Sequence, residues 1–193
     1  MICGCATARL GTGPDVYSLA GYPQGAHVGI VKVADARGTD NAGMIGGCGI
    51  KIKGDDLSTL ATNYLLDGVN RQLCVNVVRM KETAPDAAVA AASGYGVQYM
   101  IFAKIHQLKM SSLDALMQPV EVECNLGLKV YDSSGKEILD KSFTGYYQER
   151  IGLSIVDKAT GKLTERVVRD AVSNLVKDPE LQGILKANNE QKP

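Results

Sequence analysis

Five cysteines and two histidines are the residues of this chain best suited to nucleophilic, redox or metal chemistry. Cys3, Cys5, Cys48, Cys74 and Cys124 match none of the paired C-x-x-C spacings of zinc sites, and with only His27 and His106 to add, no metal site and no cofactor are expected. Cys124 falls on the apolar face of an alternating segment and reads as a buried, inert thiol, with a Cys74–Cys124 disulfide as the alternative. Cys–His catalysis is disfavoured because His106 falls on the polar or second face of another strand. The tract Gly43-Met44-Ile45-Gly46-Gly47-Cys48-Gly49 has the glycine density of a phosphate cradle. However, no Lys-Ser or Lys-Thr follows it into a helix, and Ile50 to Lys53 reads as an edge strand, so a loop that can grip a partner is the better reading. Glu121 with Glu123 lies along a solvent face, and Asp55 with Asp56 sits where a helix begins, so solvation and capping account for both pairs without acid–base chemistry. Asp35 and Arg37 end the first strand beside the long glycine loop. Together with Gly46 and Gly47 they form the candidate interaction site, set against a local ion pair that fixes the turn. No catalytic residue is assigned.

The amino terminus, Ile2-Cys3-Gly4-Cys5-Ala6-Thr7, resembles the lipobox of bacterial lipoprotein precursors: an aliphatic residue, small residues, then the cysteine that takes a diacylglyceryl group. Cys5 is the position that matches. The resemblance implies that residues 1–5 are the remnant of a signal peptide whose basic and long apolar portions lie upstream. Residues 6–25 carry Gly11, Gly13, Pro14, Gly21, Pro23 and Gly25 and no hydrophobic period, so they are expected to form a flexible tether. Fully extended, it would reach up to about 60 Å from a membrane.

The elements that must position these residues follow along 26–187, read as a single domain, with 188–193 as a frayed end. His27 to Asp35 is a β-branched first strand. Gly38 to Lys53 is expected as a mobile loop or irregular hairpin. A helix capped by Asp55 or Asp56 places Leu57, Leu60, Ala61, Tyr64, Leu65 and Gly68 on one face. Leu73 to Arg79 reads as a short strand. An alanine-rich helix then starts at Pro85 and stops at Gly94. Val97, Tyr99, Ile101, Ala103 and Ile105 alternate with Gln98, Met100, Phe102, Lys104 and His106, giving one apolar face and a second that is apolar only at its centre, as if partly covered. Val120 to Tyr131 alternates cleanly, turns at Asp132 to Gly135 and returns to Glu149 with Leu139, Phe143 and Tyr147 on the inner side. Leu163 to Val176 is a helical stripe, broken at Asp178-Pro179 and followed by a turn or two more. The expected fold is α+β: a mostly antiparallel sheet of about five strands with two or three helices packed on one face.

The segments Val28 to Gly38 with its Asp-Ala-Arg exit, Val120 to Tyr131 with its Ser-Ser-Gly-Lys turn, and Val176-Lys177-Asp178-Pro179-Glu180-Leu181-Gln182 together resemble the YajG-like bacterial lipoprotein family. That resemblance implies a lipidated domain facing the periplasm, with Cys5 as the lipidated residue. Because Ala6, not Asp, follows Cys5, the sorting rule of such lipoproteins implies the outer membrane.

Composition narrows the function classes. Lys plus Arg equals Asp plus Glu at 21 each, which gives no field to concentrate polyanions, and the aromatics are eight Tyr, two Phe and no Trp, so a nucleic-acid partner is not expected. No run approaches the roughly 20 apolar residues of a membrane-spanning helix. The expectation is a lipid-anchored binding or scaffolding domain with an envelope protein as partner. The alternative is a small-ligand or lipid carrier that uses the space between the helices and the second face of Val97 to Leu108. An enzyme would require a pocket holding His27 or His106 beside a carboxylate.

Overall fold

A computed structural model describes residues 6, 7, 10, 11, 13, 27–45, 48–112, 119–150 and 156–186. In chain order the elements are β1 (Ala6–Thr7), β2 (His27–Ile30), β3 (Ala34–Asp35), β4 (Asn41–Ile45), β5 (Cys48–Lys51), α1 (Gly54–Leu73), β6 (Asn76–Arg79), α2 (Pro85–Tyr95), β7 (Tyr99–Ser112), β8 (Val120–Asp132), β9 (Glu137–Glu149), α3 (Val156–Val176) and α4 (Pro179–Lys186). No helix among them is long and apolar enough to cross a membrane.

The expected mostly antiparallel, five-stranded sheet is incorrect. The described residues form one mixed sheet of nine strands, in which five of the eight strand pairings are parallel. The reason lies in the connections. Two of the chain's early strands are followed by helices, and a helical crossover returns the chain in the same direction, which gives parallel neighbours. Thus β2 runs parallel to β6 on one side and to β7 on the other. The long strand β7 is a spine. β2, β3 and β4 lie parallel to it in turn, at Tyr99 to Ile101, Lys104 to Ile105 and Met110 to Ser112. Its other edge takes β8, and β9 follows in the antiparallel hairpin the alternation predicts.

The helices do not share one face either. The step from β2 to β6 moves one way across the sheet and the step from β6 to β7 moves back, so right-handed crossovers must place α1 and α2 on opposite faces. The cores confirm this. Ile101, Ala103 and Ile105 of β7 join the main core with α1 and α3, while Met100 and Phe102 join a second cluster with Ala88 and Ala92 of α2. The expected partial cover over the central second face of this strand is α2. It also fills the space in which a carried ligand was expected, since Met100 and Phe102 are buried there against Val31, Met80 and Val97.

Local corrections have local causes. The first strand breaks after Ile30, and Val33 N–H donates instead to Thr62 Oγ1 at 2.9 Å, while that hydroxyl donates to Ser58 O at 2.6 Å. One threonine of α1 therefore replaces a strand partner. Gly38 to Lys53 is the irregular hairpin β4–β5, with a register shift between Asn41 and Gly43. Asp55 and Asp56 are not caps: they occupy the first turn of α1, where carboxylates oppose the positive helix end. Asp40 Oδ1 accepts from Gly54 N at 3.1 Å instead. Leu73 belongs to α1, and α2 stops at Gly96, whose φ of 63° favours glycine, rather than at Gly94.

Candidate functional site

Asp35 and Arg37 are brought together as the alternative reading of the turn required. Arg37 Nε and Nη2 each reach an Asp35 oxygen at 2.8 Å, Arg37 N–H adds 3.2 Å, and Nη2 also donates to Ile52 O at 3.0 Å. The pair is deep, with side-chain exposures of 3% for Arg37 and 16% for Asp35. Burial pushes the Asp35 carboxyl upward, but the hydrogen bonds and charge of Arg37 outweigh it and hold the group below its ordinary value. The fork ties the exit of β3 to Ile52, two residues before α1. It also leaves little room there, since a Cβ on Gly54 would lie 2.5 Å from Asp35 Oδ2. Outside the pair lies a 590 Å³ hollow lined by Lys32, Asp35, Asp40, Asp55, Ser58 and Thr83, among others. Lys32 reaches Asp55 at 3.4 Å across its rim.

Cys5, Gly46 and Gly47 lie outside the described residues. Of the glycine tract, Gly43 and Gly49 belong to the β4–β5 hairpin. Gly43 has φ of 119°, and a Cβ there would strike the carbonyl of Met110, so this glycine serves the close approach of β4 to β7. Cys74 and Cys124 are free thiols rather than a disulfide. Cys124 is buried on the core face of β8, and burial pushes its thiol up to about 12. His27 and His106 are exposed, His106 lying over Gly127, and neither lines a described hollow. Among the described residues no cluster of His, Cys, Asp or Glu is able to hold a metal ion.

A second site was not singled out from the sequence. α1 and α3 cross closely at Gly68, where a Cβ would lie 3.2 Å from Val172. Beside the crossing is a 730 Å³ groove lined by Tyr64, Asp67, Tyr146, Tyr147, Arg166 and Arg169, among others. The Arg166 guanidinium stacks 5.0 Å from the centre of the Tyr147 ring, hydrogen-bonds the Tyr147 hydroxyl and pairs with Glu149 at 2.9 Å. Tyr146 is half exposed, at 50%. Tyr64 is held above its ordinary pKa by burial and by Glu165. Fixed tyrosine and arginine side chains around a concavity can bury aromatic area while offering hydrogen bonds at little entropic cost, which suits a protein ligand. Spacing places Tyr64 and Tyr147 on core-facing stripes, and both are half-buried.

The described part of the expected tether lies against the domain. β1 pairs in parallel with β5, Ala6 opposite Ile50. Leu10 packs on the main core, and Gly11 N donates to Glu165 Oε1 at 2.9 Å.

No family model and no curated protein matches the sequence. Solved structures do. Protein XCC0632 from Xanthomonas campestris, of family DUF330, superposes with a TM-score of 0.53 at 15% identity, covering 95% of this chain and 98% of that one, so the two share a fold. Below that level are CT253 from Chlamydia trachomatis (TM-score 0.47, 11% identity, 84% and 99% covered) and the lipoprotein GNA1162 from Neisseria meningitidis (0.43, 12%, 71% and 93%).

Proposed function

We propose that this chain is a cell-envelope lipoprotein, acylated at Cys5 and facing the periplasm from the outer membrane, whose domain binds an envelope protein and performs no catalysis. The observation that carries the binding reading is the groove between α1, α3 and β9, where Tyr64, Tyr147 and Arg166 are held in place and the exposed side chains of Tyr146 and Arg169 line the rim. The anchor reading rests on the lipobox residues, and the narrower likeness to the YajG-like family rests on the three sequence segments that carry it. The hollow beside Asp35 and Arg37 is secondary, because the two charges neutralise each other, although Arg37 Nη1 is buried without a hydrogen-bond partner among the described residues.

In-cell photo-crosslinking from position 146 tests the binding reading. A discrete protein adduct is expected, and Tyr146→Ala combined with Arg169→Ala should weaken the purified complex by roughly 30-fold, the loss of about 2 kcal/mol typical of an interface hot spot. An affinity unchanged by the double substitution overturns the groove as the site. Intact mass and density-gradient fractionation of the cellular protein test the anchor separately: an unmodified Cys5, or a protein outside the outer-membrane fraction, overturns that part.

A further inference from the structure

We infer that the groove between α1, α3 and β9 takes an acidic segment of its protein partner, laid with its carboxylates along Lys162, Arg166 and Arg169 of α3. This rests on the reading of that groove as the binding site and names what fills it. Lys162, Arg166 and Arg169 stand at i, i+4 and i+7 of one helix, so their side chains share a face. Ser173 continues the same line, and Arg166, Arg169 and Ser173 all line the 730 Å³ groove. The α3 wall therefore carries a row of three cations. Lys162 and Arg169 are exposed, and among the described residues no carboxylate lies within 4 Å of either.

The acidic groups nearby are already engaged. Asp67, on the α1 wall, is paired with Arg71 at 2.6 Å, and Glu149 holds Arg166 at 2.9 Å. Asp170 Oδ2 accepts from Tyr146 N–H at 3.1 Å at the edge of β9, and Glu165 Oε1 accepts from Gly11 N–H at 2.9 Å. A groove whose carboxylates are occupied, and two of whose cations have no ion-pair partner among the described residues, is complementary to added negative charge. The chain as a whole balances 21 cationic against 21 acidic residues, so this attraction is local to the row and selects a segment rather than a polyanion. Apolar area for the stretches between the partner's charges comes from the rings of Tyr64 and Tyr147 and from Val172. A bare phosphate would leave that area unused.

The test uses the full-length protein in cells, with a benzophenone amino acid at position 72, where Gln72 lines the α1 wall opposite the row. The trapped segment is mapped by mass spectrometry, synthesised as a peptide and titrated on the purified protein by fluorescence anisotropy. Acidic residues are expected in it, and Lys162→Glu with Arg169→Glu should weaken its binding by roughly tenfold or more. The same peptide with those acids changed to lysine should bind the doubly reversed protein better than the parent, which also shows that the variant folds. A trapped segment without acidic residues overturns the inference while the groove remains the binding site. So does an affinity that the double reversal leaves unchanged, with the adduct from position 72 retained. No discrete adduct from position 72 or 146 overturns the groove reading, and this inference with it.

Discussion

Arg37→Ala is the substitution that most directly probes how the hairpin, α1 and β3 are held together. The Arg37 side chain is 3% exposed and makes two 2.8 Å bonds to Asp35 and a third to Ile52 O. Removing one partner of a buried ion pair leaves the other charge uncompensated, at a cost of about 3–5 kcal/mol. In a domain of this size that corresponds to a melting-temperature drop of order 10 °C. The loss should depend on pH in a defined direction. In the parent, Asp35 is held below its ordinary pKa, so its stabilising contribution is complete above the unfolded value of about 3.9 and fades as pH falls through the lower folded value. In the variant the guanidinium's hydrogen bonds and charge are gone and only the residue 37 N–H still favours the carboxylate against burial, so the folded pKa of Asp35 rises from its parent value and the deficit grows with pH. Urea unfolding followed by circular dichroism at pH 7 and pH 3.5 should therefore show a large deficit at pH 7 and a smaller one at pH 3.5. Replacing both partners, Asp35→Leu with Arg37→Leu, should recover much of the loss. A deficit below about 1 kcal/mol, or one equal at both pH values, would refute the buried-pair account and leave only lost packing.

Other expectations follow from the same packing. Gly145→Ala would place a Cβ against the Val167 carbonyl and 2.6 Å from Ala171 N, backbone of α3 that cannot yield locally. It should destabilise by at least the roughly 1–3 kcal/mol of an overpacked core, read by thermal melting, and Tyr146 crosslinking should fall with it because the groove opens. Cys74 should react with a maleimide under native conditions, whereas Cys124, buried and with its thiol pushed up to about 12, should react only once the protein unfolds; peptide mapping after timed labelling distinguishes them. Asp170→Ala together with Asn174→Ala should raise the aggregation rate seen by light scattering more than it lowers the melting temperature, since these side chains cover the outer edge of β9.

What the sequence disclosed is what local patterns carry. The alternation from Val120 to Tyr131 states which side chains go inward, and β8 buries Val120, Val122, Cys124, Leu126, Leu128 and Val130 as read. Strand direction is not local. The run at Val28 to Val33 is equally compatible with a parallel or an antiparallel neighbour, and only the two helical crossovers decide it. Their order along the chain sets β2, β6 and β7 parallel. The break after Ile30 was also hidden, because it depends on a hydroxyl from Thr62 that no pattern near Val33 announces. Asp35 and Arg37 were singled out by position. Their depth was not legible, since arginine is ordinarily a surface residue and its burial here depends on the loop folding back to Ile52. The groove was the largest omission, because its rim comes from Tyr64 of α1, Tyr147 of β9 and Arg166 of α3, which meet only once Gly68 and Gly145 let α3 come close.

The close seat of α3 on β9 also decides how a partner can be read. β9 pairs only with β8 among the described strands, so 13 residues of its outer edge would offer backbone groups to any extended peptide. α3 removes that option where it crosses: Asp170 accepts from Tyr146 N–H at 3.1 Å, and Asn174 donates to the Thr144 carbonyl at 2.9 Å. A carboxylate and an amide four residues apart on one helix thus stand in for the acceptor and donor of a missing strand. Tyr146 is where the two roles meet, its amide occupied by Asp170 and its ring left on the surface. Recognition at this groove must then proceed through side chains rather than strand addition. A partner should accordingly depend on Tyr146 and Arg169, and be insensitive to changes that alter only the β9 backbone edge.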